Sequence, residues 1–153
     1  MIAVKLTRDC RWLVVGAPAY FASKGNGNVR SPEDLVYHEC LGYRFPTART
    51  VQRWLFTDGG REFFVDPRGS LTVDDTASLI ALAKRALGLA YTADILIERE
   101  LRDGELRAVL KSYLPTTPGL SLDFPARRQQ QPKLRAFIDT ARRALRKSAA
   151  GSR

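Results

Sequence analysis

Residues 71–91, LTVDDTASLIALAKRALGLAY, constrain the fold more than any other part of the chain. They begin with a short alternating run, and residues 74–76 then supply helix-starting side chains whose oxygens accept hydrogen bonds from unpaired backbone N–H groups. Apolar residues recur at helical spacing up to Leu87, Gly88 is predicted to be the glycine that ends the helix, and residues 89–91 form a second strand. A strand–helix–strand unit with short links predicts parallel strands, a right-handed crossover and an α/β fold.

The other elements follow from periodicity, proline and glycine. A hairpin over residues 52–65 is predicted to turn at Asp58-Gly59-Gly60, because glycine adopts positive φ without steric cost. The remaining predicted strands are 2–6, 12–15, 40–45, 105–110 and 120–124. The remaining predicted helices are Pro18 to about Lys24, 31–39, 94–101 and Lys133 to about Lys147, with a GNGN loop at 25–28 and a disordered tail at 148–153.

Length and composition limit the class of protein. A chain of 153 residues forms one domain or two small lobes. No apolar run approaches the roughly 20 residues that a membrane span needs, and the N-terminus lacks the apolar stretch of a signal peptide. We therefore expect a cytoplasmic protein without membrane association. Cys10 and Cys40 match no metal-binding spacing and are expected to be buried, reduced thiols.

The net charge of +9 is concentrated at the C-terminus. Residues 124–153 carry nine Lys and Arg against one Asp, while residues 1–123 are almost balanced. Such a segment is either a solvated helix face or a surface that binds polyanions such as nucleic acid non-specifically. In the second interpretation the binding residues are Arg127, Arg128, Lys133, Arg142, Arg143, Arg146 and Lys147.

No catalytic site is predicted. His38, the single histidine, lies two residues from Cys40, but a Cys–His pair also needs hydrogen-bond contact and a third orienting group. Asp74 and Asp75 are adjacent carboxylates at a helix start, where caps are the usual role. The GNGN sequence lacks the strand and helix that flank a phosphate-binding loop. We expect no enzyme activity, no metal site and no cofactor.

A ligand site is the stronger possibility. Arg44 follows a predicted strand, and its guanidinium fork could bind a carboxylate through two hydrogen bonds. Thr47 and Thr50 lie in the next loop, and Thr92 stands before a predicted helix. The alternative is that Arg44 is a surface ion-pair partner and the threonines are caps or turn residues. Residue types and spacing alone leave both interpretations open.

The order of several short motifs resembles the effector-binding (substrate-binding) domain of LysR-type transcriptional regulators. The resemblance covers residues 1 to about 145 and comes from the order of the pieces rather than from any single one. The pieces are residues 12–21, 31–35, 38–44, Trp54 with its partner strand, 71–75, 87–90, 103–106 and 134–139.

The resemblance implies a type II periplasmic-binding-protein-like α/β fold, in which a small effector binds between two lobes. By resemblance, residues 13–91 form a complete second lobe, and residues 1–12 and 92–147 are returning elements of a partial first lobe. The implied effector contacts are Arg44, Phe45, Thr47, Asp74, Tyr91 and Thr92. The partners implied are a small molecule, carrying a carboxylate if Arg44 binds it, and a second copy of the chain in a homodimer or higher oligomer.

Family members also carry an N-terminal helix-turn-helix and a first βαβ segment, and neither precedes Met1. DNA binding is therefore expected only through a domain outside this sequence, and the returning elements should have an unpaired sheet edge and an uncovered helix face. The competing hypothesis is a small stand-alone basic protein that binds polyanions through its C-terminal helix.

Overall fold

The computed structural model describes residues 1–23, 27, 29–128 and 130–150, of which the last three are described as backbone. The chain divides into two compact units. The first contains Met1–Cys10 and the chain from Thr116 onward, and the second is Arg11–Pro115.

The described chain contains both strands and helices, as an α/β fold requires. The strands are β1 (Ile2–Lys5), β2 (Cys10–Gly16), β3 (Gly42–Tyr43), β4 (Trp54–Asp58), β5 (Arg61–Val65), β6 (Thr72–Val73), β7 (Ala90–Ala93), β8 (Arg107–Val109), β9 (Thr116–Thr117) and β10 (Ser121–Phe124). The α-helices are α1 (Pro18–Ala22), α2 (Thr76–Lys84), α3 (Glu98–Arg102) and α4 (Pro132–Ala150). Short 3₁₀ helices cover Pro32–Tyr37, Asp94–Leu96, Lys111–Tyr113 and Ala126–Arg128.

The second unit is organised around β2, which pairs antiparallel with β7 on one side and with β8 on the other. Just before β7, Leu89 forms a parallel bridge with Cys40, and β3 then pairs in parallel with β6. The strands that flank α2 therefore run in the same direction, with the Cys40–β3 segment between them. The predicted parallel arrangement within residues 71–91 is confirmed.

Burial explains why β2 and β7 form the central strands. β7 is buried along its whole length, and Val14 and Val15 of β2 are fully buried. Such runs of apolar residues suit strands that are covered on both faces. α2 packs beside β6 and β7 and buries Leu79 and Ala83, as its helical spacing predicts.

The hairpin β4–β5 confirms the turn predicted at Asp58-Gly59-Gly60. Gly59 and Gly60 have φ of 58° and 82°, and positive φ at both central residues defines the turn that matches strand twist. Trp54 and Phe56 point to the same face of β4 and are almost completely buried. The hairpin is therefore fixed by turn chemistry at one end and by aromatic burial along one face.

The predicted role of Gly88 as the helix-ending glycine is wrong. α2 ends at Lys84, and the left-handed residue beyond it is Ala86, with φ of 61°. Gly88 is required for a different reason: a Cβ at this position would lie 2.7 Å from the carbonyl oxygen of Glu39. The residue allows close approach of two backbones, which no local sequence rule describes.

Other boundaries also differ from the predictions. Residues 31–39 form only the 3₁₀ helix Pro32–Tyr37, which ends where His38 becomes extended with ψ of 150°. The predicted helix over 94–101 is divided at Ile97, which is fully buried and has φ of −131°. The predicted strand 40–45 is reduced to β3 with single bridges at its ends. Lys24 and most of the GNGN loop lie outside the described residues.

The first unit pairs β1 with β10 in an antiparallel sheet, with Ile2 opposite Phe124. The guanidinium of Arg142 on α4 donates two hydrogen bonds, of 3.1 and 3.0 Å, to the carbonyl oxygen of Lys5. Ile138 of α4 is buried, whereas Phe137 is 57% exposed. α4 also continues to Ala150, so residues 148–150 are helical rather than part of the predicted tail, and residues 151–153 lie outside the described chain.

Candidate functional site

A depression of about 430 Å³ lies beside the ends of β3 and β6 and the start of α2. Its lining residues are Arg44, Thr72, Val73, Asp74, Asp75 and Ser78. Five of these six side chains are polar or charged. The two strands are parallel neighbours, so their C-terminal ends lie side by side, as expected for a ligand site in an α/β sheet.

The helix start in this depression is formed by local sequence chemistry. The carboxylate of Asp75, the N-cap, accepts a 2.7 Å hydrogen bond from the backbone N–H of Ser78. This hydrogen bonding from Ser78 lowers the pKa of Asp75 from its ordinary value. Asp75 is therefore held as a carboxylate that stabilises the first turn of α2.

Arg44 is placed by its backbone and leaves its side chain exposed. Its N–H donates a 2.7 Å hydrogen bond to the carbonyl oxygen of Val73, and it bridges to Val51 across the loop. Among the described residues the guanidinium makes no hydrogen bond or ion pair. Arg44 and Asp74 are the two predicted contact residues that the structure brings into this depression.

Phe45 and Thr47 follow Arg44 but do not line the depression. Phe45 is 40% exposed and packs edge-on against Tyr43, with the ring centroids 5.6 Å apart. Thr47 is exposed in the loop that returns to Thr50, where the N–H of Phe45 donates to the carbonyl oxygen of Thr50 at 2.9 Å. Both residues are accessible beside Arg44 rather than enclosed with it.

Tyr91 and Thr92 lie on β7 and are 5% and 2% exposed, respectively. The Tyr91 ring is stacked on Trp12 and on Trp54, with centroid distances of 5.0 and 5.5 Å. Its hydroxyl oxygen accepts a 3.3 Å hydrogen bond from the N–H of Leu55 on the hairpin. Burial raises the pKa of Tyr91. The residue therefore has a structural task in joining the hairpin to the sheet.

The arrangement of His38 and Cys40 does not form a nucleophilic pair. Nδ1 of His38 lies 2.9 Å from the hydroxyl of Tyr20, which also accepts a 3.2 Å hydrogen bond from the N–H of Glu39, so the hydrogen-bond partner of Nδ1 is Tyr20 rather than Cys40. Cys40 is buried, its thiol points to the carbonyl oxygen of Leu35, and burial raises its pKa to about 11. A thiol of this kind is a weak nucleophile at neutral pH.

Sequence reasoning missed two features of this region. It did not place Thr72 and Ser78 in the depression, because the two residues lie on different elements, β6 and α2, and the depression forms only when β3 pairs with β6. It did not find the Trp12–Tyr91–Trp54 stack, because those residues are far apart in the chain. No local signal predicts such a stack.

The seven residues predicted to bind polyanions lie on two elements of the first unit. Arg127 and Arg128 are exposed in the 3₁₀ helix Ala126–Arg128, and Arg142 is used to bind the Lys5 carbonyl oxygen. The remaining four are exposed on α4: Lys133, Arg143, Arg146 and Lys147.

Neither a metal site nor a membrane span is found in the described part of the chain. No group of three His, Cys, Asp or Glu side chains is arranged to hold a metal ion among the described residues. Likewise, none of the helices in residues 1–23 and 29–150, so far as they are described, is both long and apolar enough to cross a bilayer.

Comparison of the sequence with known proteins identifies the family to which the chain belongs. The family described as the LysR substrate binding domain matches residues 1–146. A putative transcriptional regulator of Pseudomonas aeruginosa is 33% identical over 142 residues, covering 93% of this chain and 46% of that protein. The HTH-type transcriptional regulator PgrR of Escherichia coli is 32% identical, covering 91% of this chain and 46% of that protein. The putative LysR family substrate binding domain-containing protein YagP of Escherichia coli is 33% identical, covering 67% of this chain and 75% of that protein.

Solved structures agree with the fold. The regulatory domain of CrgA, a LysR-type transcriptional regulator from Neisseria meningitidis, has a TM-score of 0.72 at 25% identity, covering 94% of this chain and 68% of that one. Full-length AphB from Vibrio cholerae has a TM-score of 0.74 at 23% identity, covering 94% of this chain and 48% of that one.

The chain belongs to the LysR substrate-binding domain family and has its periplasmic-binding-protein-like α/β fold. Such domains are the effector-sensing, regulatory parts of transcriptional regulators. The chain spans about half the length of the first two curated relatives, 46% in each case.

Proposed function

We propose that this chain senses a small molecule for a LysR-type transcriptional regulator and changes conformation on binding, without catalysing a reaction. The observation that carries the proposal is the family match over residues 1–146. The absence of catalysis is supported by the buried Cys40 thiol and by the Tyr20 hydroxyl that occupies Nδ1 of His38.

Six effector contacts were expected from the sequence: Arg44, Phe45, Thr47, Asp74, Tyr91 and Thr92. The first four are exposed and are the proposed contacts, whereas Tyr91 and Thr92 are buried in β7 and are not. Arg44 is the main contact, because its guanidinium is exposed, has no partner among the described residues and borders the depression beside α2. A guanidinium binds a carboxylate through two parallel hydrogen bonds, so the effector carries an anionic group.

The remaining parts of the regulator complete this proposal. The expected lobes were residues 13–91 and residues 1–12 with 92–147, but Arg11–Pro115 form one compact unit in which β8 pairs with β2. This unit is the proposed second effector-binding lobe, and Met1–Cys10 with the chain from Thr116 onward contribute to the first. A helix-turn-helix outside this sequence contacts DNA, the regulator assembles as a homodimer or higher oligomer, and it works in the cytoplasm. Effector binding changes the geometry of that oligomer and so its affinity for DNA.

The test is a calorimetric titration of the protein with small carboxylates, with and without an amino group, comparing Arg44→Gln with the unmodified chain. Loss of a charge-assisted hydrogen bond should weaken binding by about tenfold to a hundredfold. Arg85→Gln is the matched control, because Arg85 is exposed at the opposite end of α2 and its loss changes the net charge equally. Equal affinity of Arg44→Gln and the unmodified chain for every ligand that binds contradicts the proposed site.

A second function is supported by the exposed basic side chains of α4, which fit a surface for polyanions. Binding to random-sequence duplex DNA would then weaken linearly on a log–log plot against salt concentration. Replacing Arg143, Arg146 and Lys147 with Gln should reduce the slope by about 0.9 for each phosphate contact removed. A slope unchanged by the triple substitution rules out α4 as the binding surface.

A further inference from the structure

Two side chains of opposite charge line the depression beside α2 and do not pair with each other. Arg44 and Asp74 both border it, yet neither makes an ion pair or side-chain hydrogen bond with any described residue. The neighbouring Asp75 differs, because its carboxylate already binds the backbone N–H of Ser78 as the cap of α2. One cation and one anion are therefore left free to contact a ligand in the same depression.

The charge balance of the lining argues against a ligand that is only anionic. Arg44 contributes one positive charge, whereas Asp74 and Asp75 contribute two negative charges. A bare carboxylate that approaches Arg44 is attracted by one charge and repelled by two others, and these interactions all fall with distance in the same way. A ligand that also carries a positive group turns the repulsion from Asp74 into an attraction.

The lining also limits how apolar the ligand can be. Val73 is the single apolar side chain among the residues that border the depression, and the other five are charged or carry hydroxyl groups. The volume of about 430 Å³ lies within the range of roughly 300–1,000 Å³ that is common for small-molecule sites. This side of the site therefore suits a small, polar ligand rather than an extended apolar one.

We propose that the effector is a small zwitterion of the amino-acid class, whose carboxylate is bound by Arg44 and whose protonated amine is bound by Asp74. The inference rests on the proposed function and names the ligand class of the same site. Asp74 is then the residue that determines specificity, because it separates amino acids from the carboxylates that differ only by lacking the amine.

The experiment uses pairs of ligands that differ in the amino group alone. The ¹⁵N-labelled full chain is titrated with alanine and propionate, and with 4-aminobutyrate and butyrate, while amide chemical shifts are followed by NMR. In at least one pair the amino acid should bind about tenfold more tightly than its deamino partner, with saturable shifts at the amides of Arg44 and Asp74. The second pair tests a wider separation between amine and carboxylate.

Variants then test which group of the ligand each of the two charged residues binds. Asp74→Asn should weaken binding of the amino acid about tenfold. The affinity for its deamino partner should stay the same or increase, so that the preference for the amino acid disappears. Arg44→Gln should weaken binding of both the amino acid and its deamino partner. Asp123→Asn is the matched control, because Asp123 is an exposed aspartate on β10 in the other unit, and it should leave both affinities unchanged.

The outcomes separate this inference from the proposed function. A deamino partner that binds as tightly as its amino acid, and still depends on Arg44, overturns the zwitterion class but keeps the effector site. A preference for the amino acid that survives Asp74→Asn overturns the role of Asp74. No binding by any of the four probes, with no shifts at Arg44 or Asp74, overturns the inference, whereas the broader carboxylate titration then decides the proposed function.

Discussion

Substitution of Gly88 by alanine should destabilise the second unit. A Cβ on residue 88 would lie 2.7 Å from the carbonyl oxygen of Glu39 and 3.1 Å from Cγ of Leu41. The first distance is shorter than real Cβ contacts, so the two backbones must separate. The separation is resisted, because the same Glu39 carbonyl oxygen accepts a 2.8 Å hydrogen bond from the N–H of Leu89.

The magnitude follows from two opposing terms. Forcing one extra carbon into a closely packed site costs about 1–3 kcal/mol. Replacing glycine also restricts the unfolded chain, which returns about 0.4–1 kcal/mol. The net expectation for Gly88→Ala is a free energy of unfolding lower by about 1.3 kcal/mol at the centre of the two ranges and by about 2.6 kcal/mol at most. With a urea dependence of about 2 kcal/mol per molar, the midpoint falls by roughly 0.7 M at the centre and by roughly 1.3 M at most.

The assay is urea unfolding followed by tryptophan fluorescence. Both tryptophans of the chain, Trp12 and Trp54, lie in the second unit together with Gly88, so the signal reports the unit that carries the substitution. Trp54 is buried beside the stacked Tyr91 ring, and its emission should change on unfolding.

Ala86→Gly, in the same turn, is expected to change the free energy of unfolding in the opposite direction. Ala86 has φ of 61°, a conformation that costs an L-residue about 1–2 kcal/mol and costs glycine little. After the entropy of the extra glycine is subtracted, this variant should be as stable as the unmodified chain or more stable by up to about 1 kcal/mol. A Gly88→Ala variant as stable as the unmodified chain would refute the close backbone approach at residue 88. A strongly destabilised Ala86→Gly would refute the left-handed conformation at residue 86.

Three further outcomes follow from the buried polar groups. Tyr91→Phe should lower the free energy of unfolding by about 1 kcal/mol in urea, because the N–H of Leu55 loses its acceptor while the ring stack remains; an unchanged midpoint would contradict the role of that hydroxyl. Burial lowers the pKa of His38 below its ordinary value of 6.5, so the unfolded chain binds more protons there; the urea midpoint should fall as pH decreases through 6.5, and His38→Gln should flatten that dependence. Cys40, with a pKa of about 11, should be alkylated by iodoacetamide at pH 8 much more slowly in the folded chain than in urea, and equal rates by peptide mass spectrometry would show that it is accessible.

The parts of the fold that sequence predicted well are those with short-range causes. The cap of α2 at Asp75 and the hairpin turn at Gly59 and Gly60 depend on a few consecutive residues. The same holds for the amphipathic spacing of α4. Boundaries were predicted less well where a distant contact competes, as at Ile97, whose complete burial accompanies a break between two short helices.

The candidate site was predictable in part. Arg44 and Asp74 each follow a strand, and the order of motifs predicts both positions; parallel pairing of the two strands brings the two residues to the same depression. The sequence could not show that their charges are left unpaired in one depression. Nor could it show that Tyr91 lies between two tryptophans, because a stack joining residues 12, 54 and 91 depends on how the hairpin meets the sheet.

The sequence by itself determined the strand–helix–strand unit, the class of the fold and the resemblance to a family, since periodicity, caps and motif order are properties of neighbouring residues. Tertiary structure alone decided which glycine permits a close backbone approach and which charges line the same depression. Those features depend on residues far apart in the chain, such as Glu39 and Gly88, whose distance is fixed only when the strands between them pair.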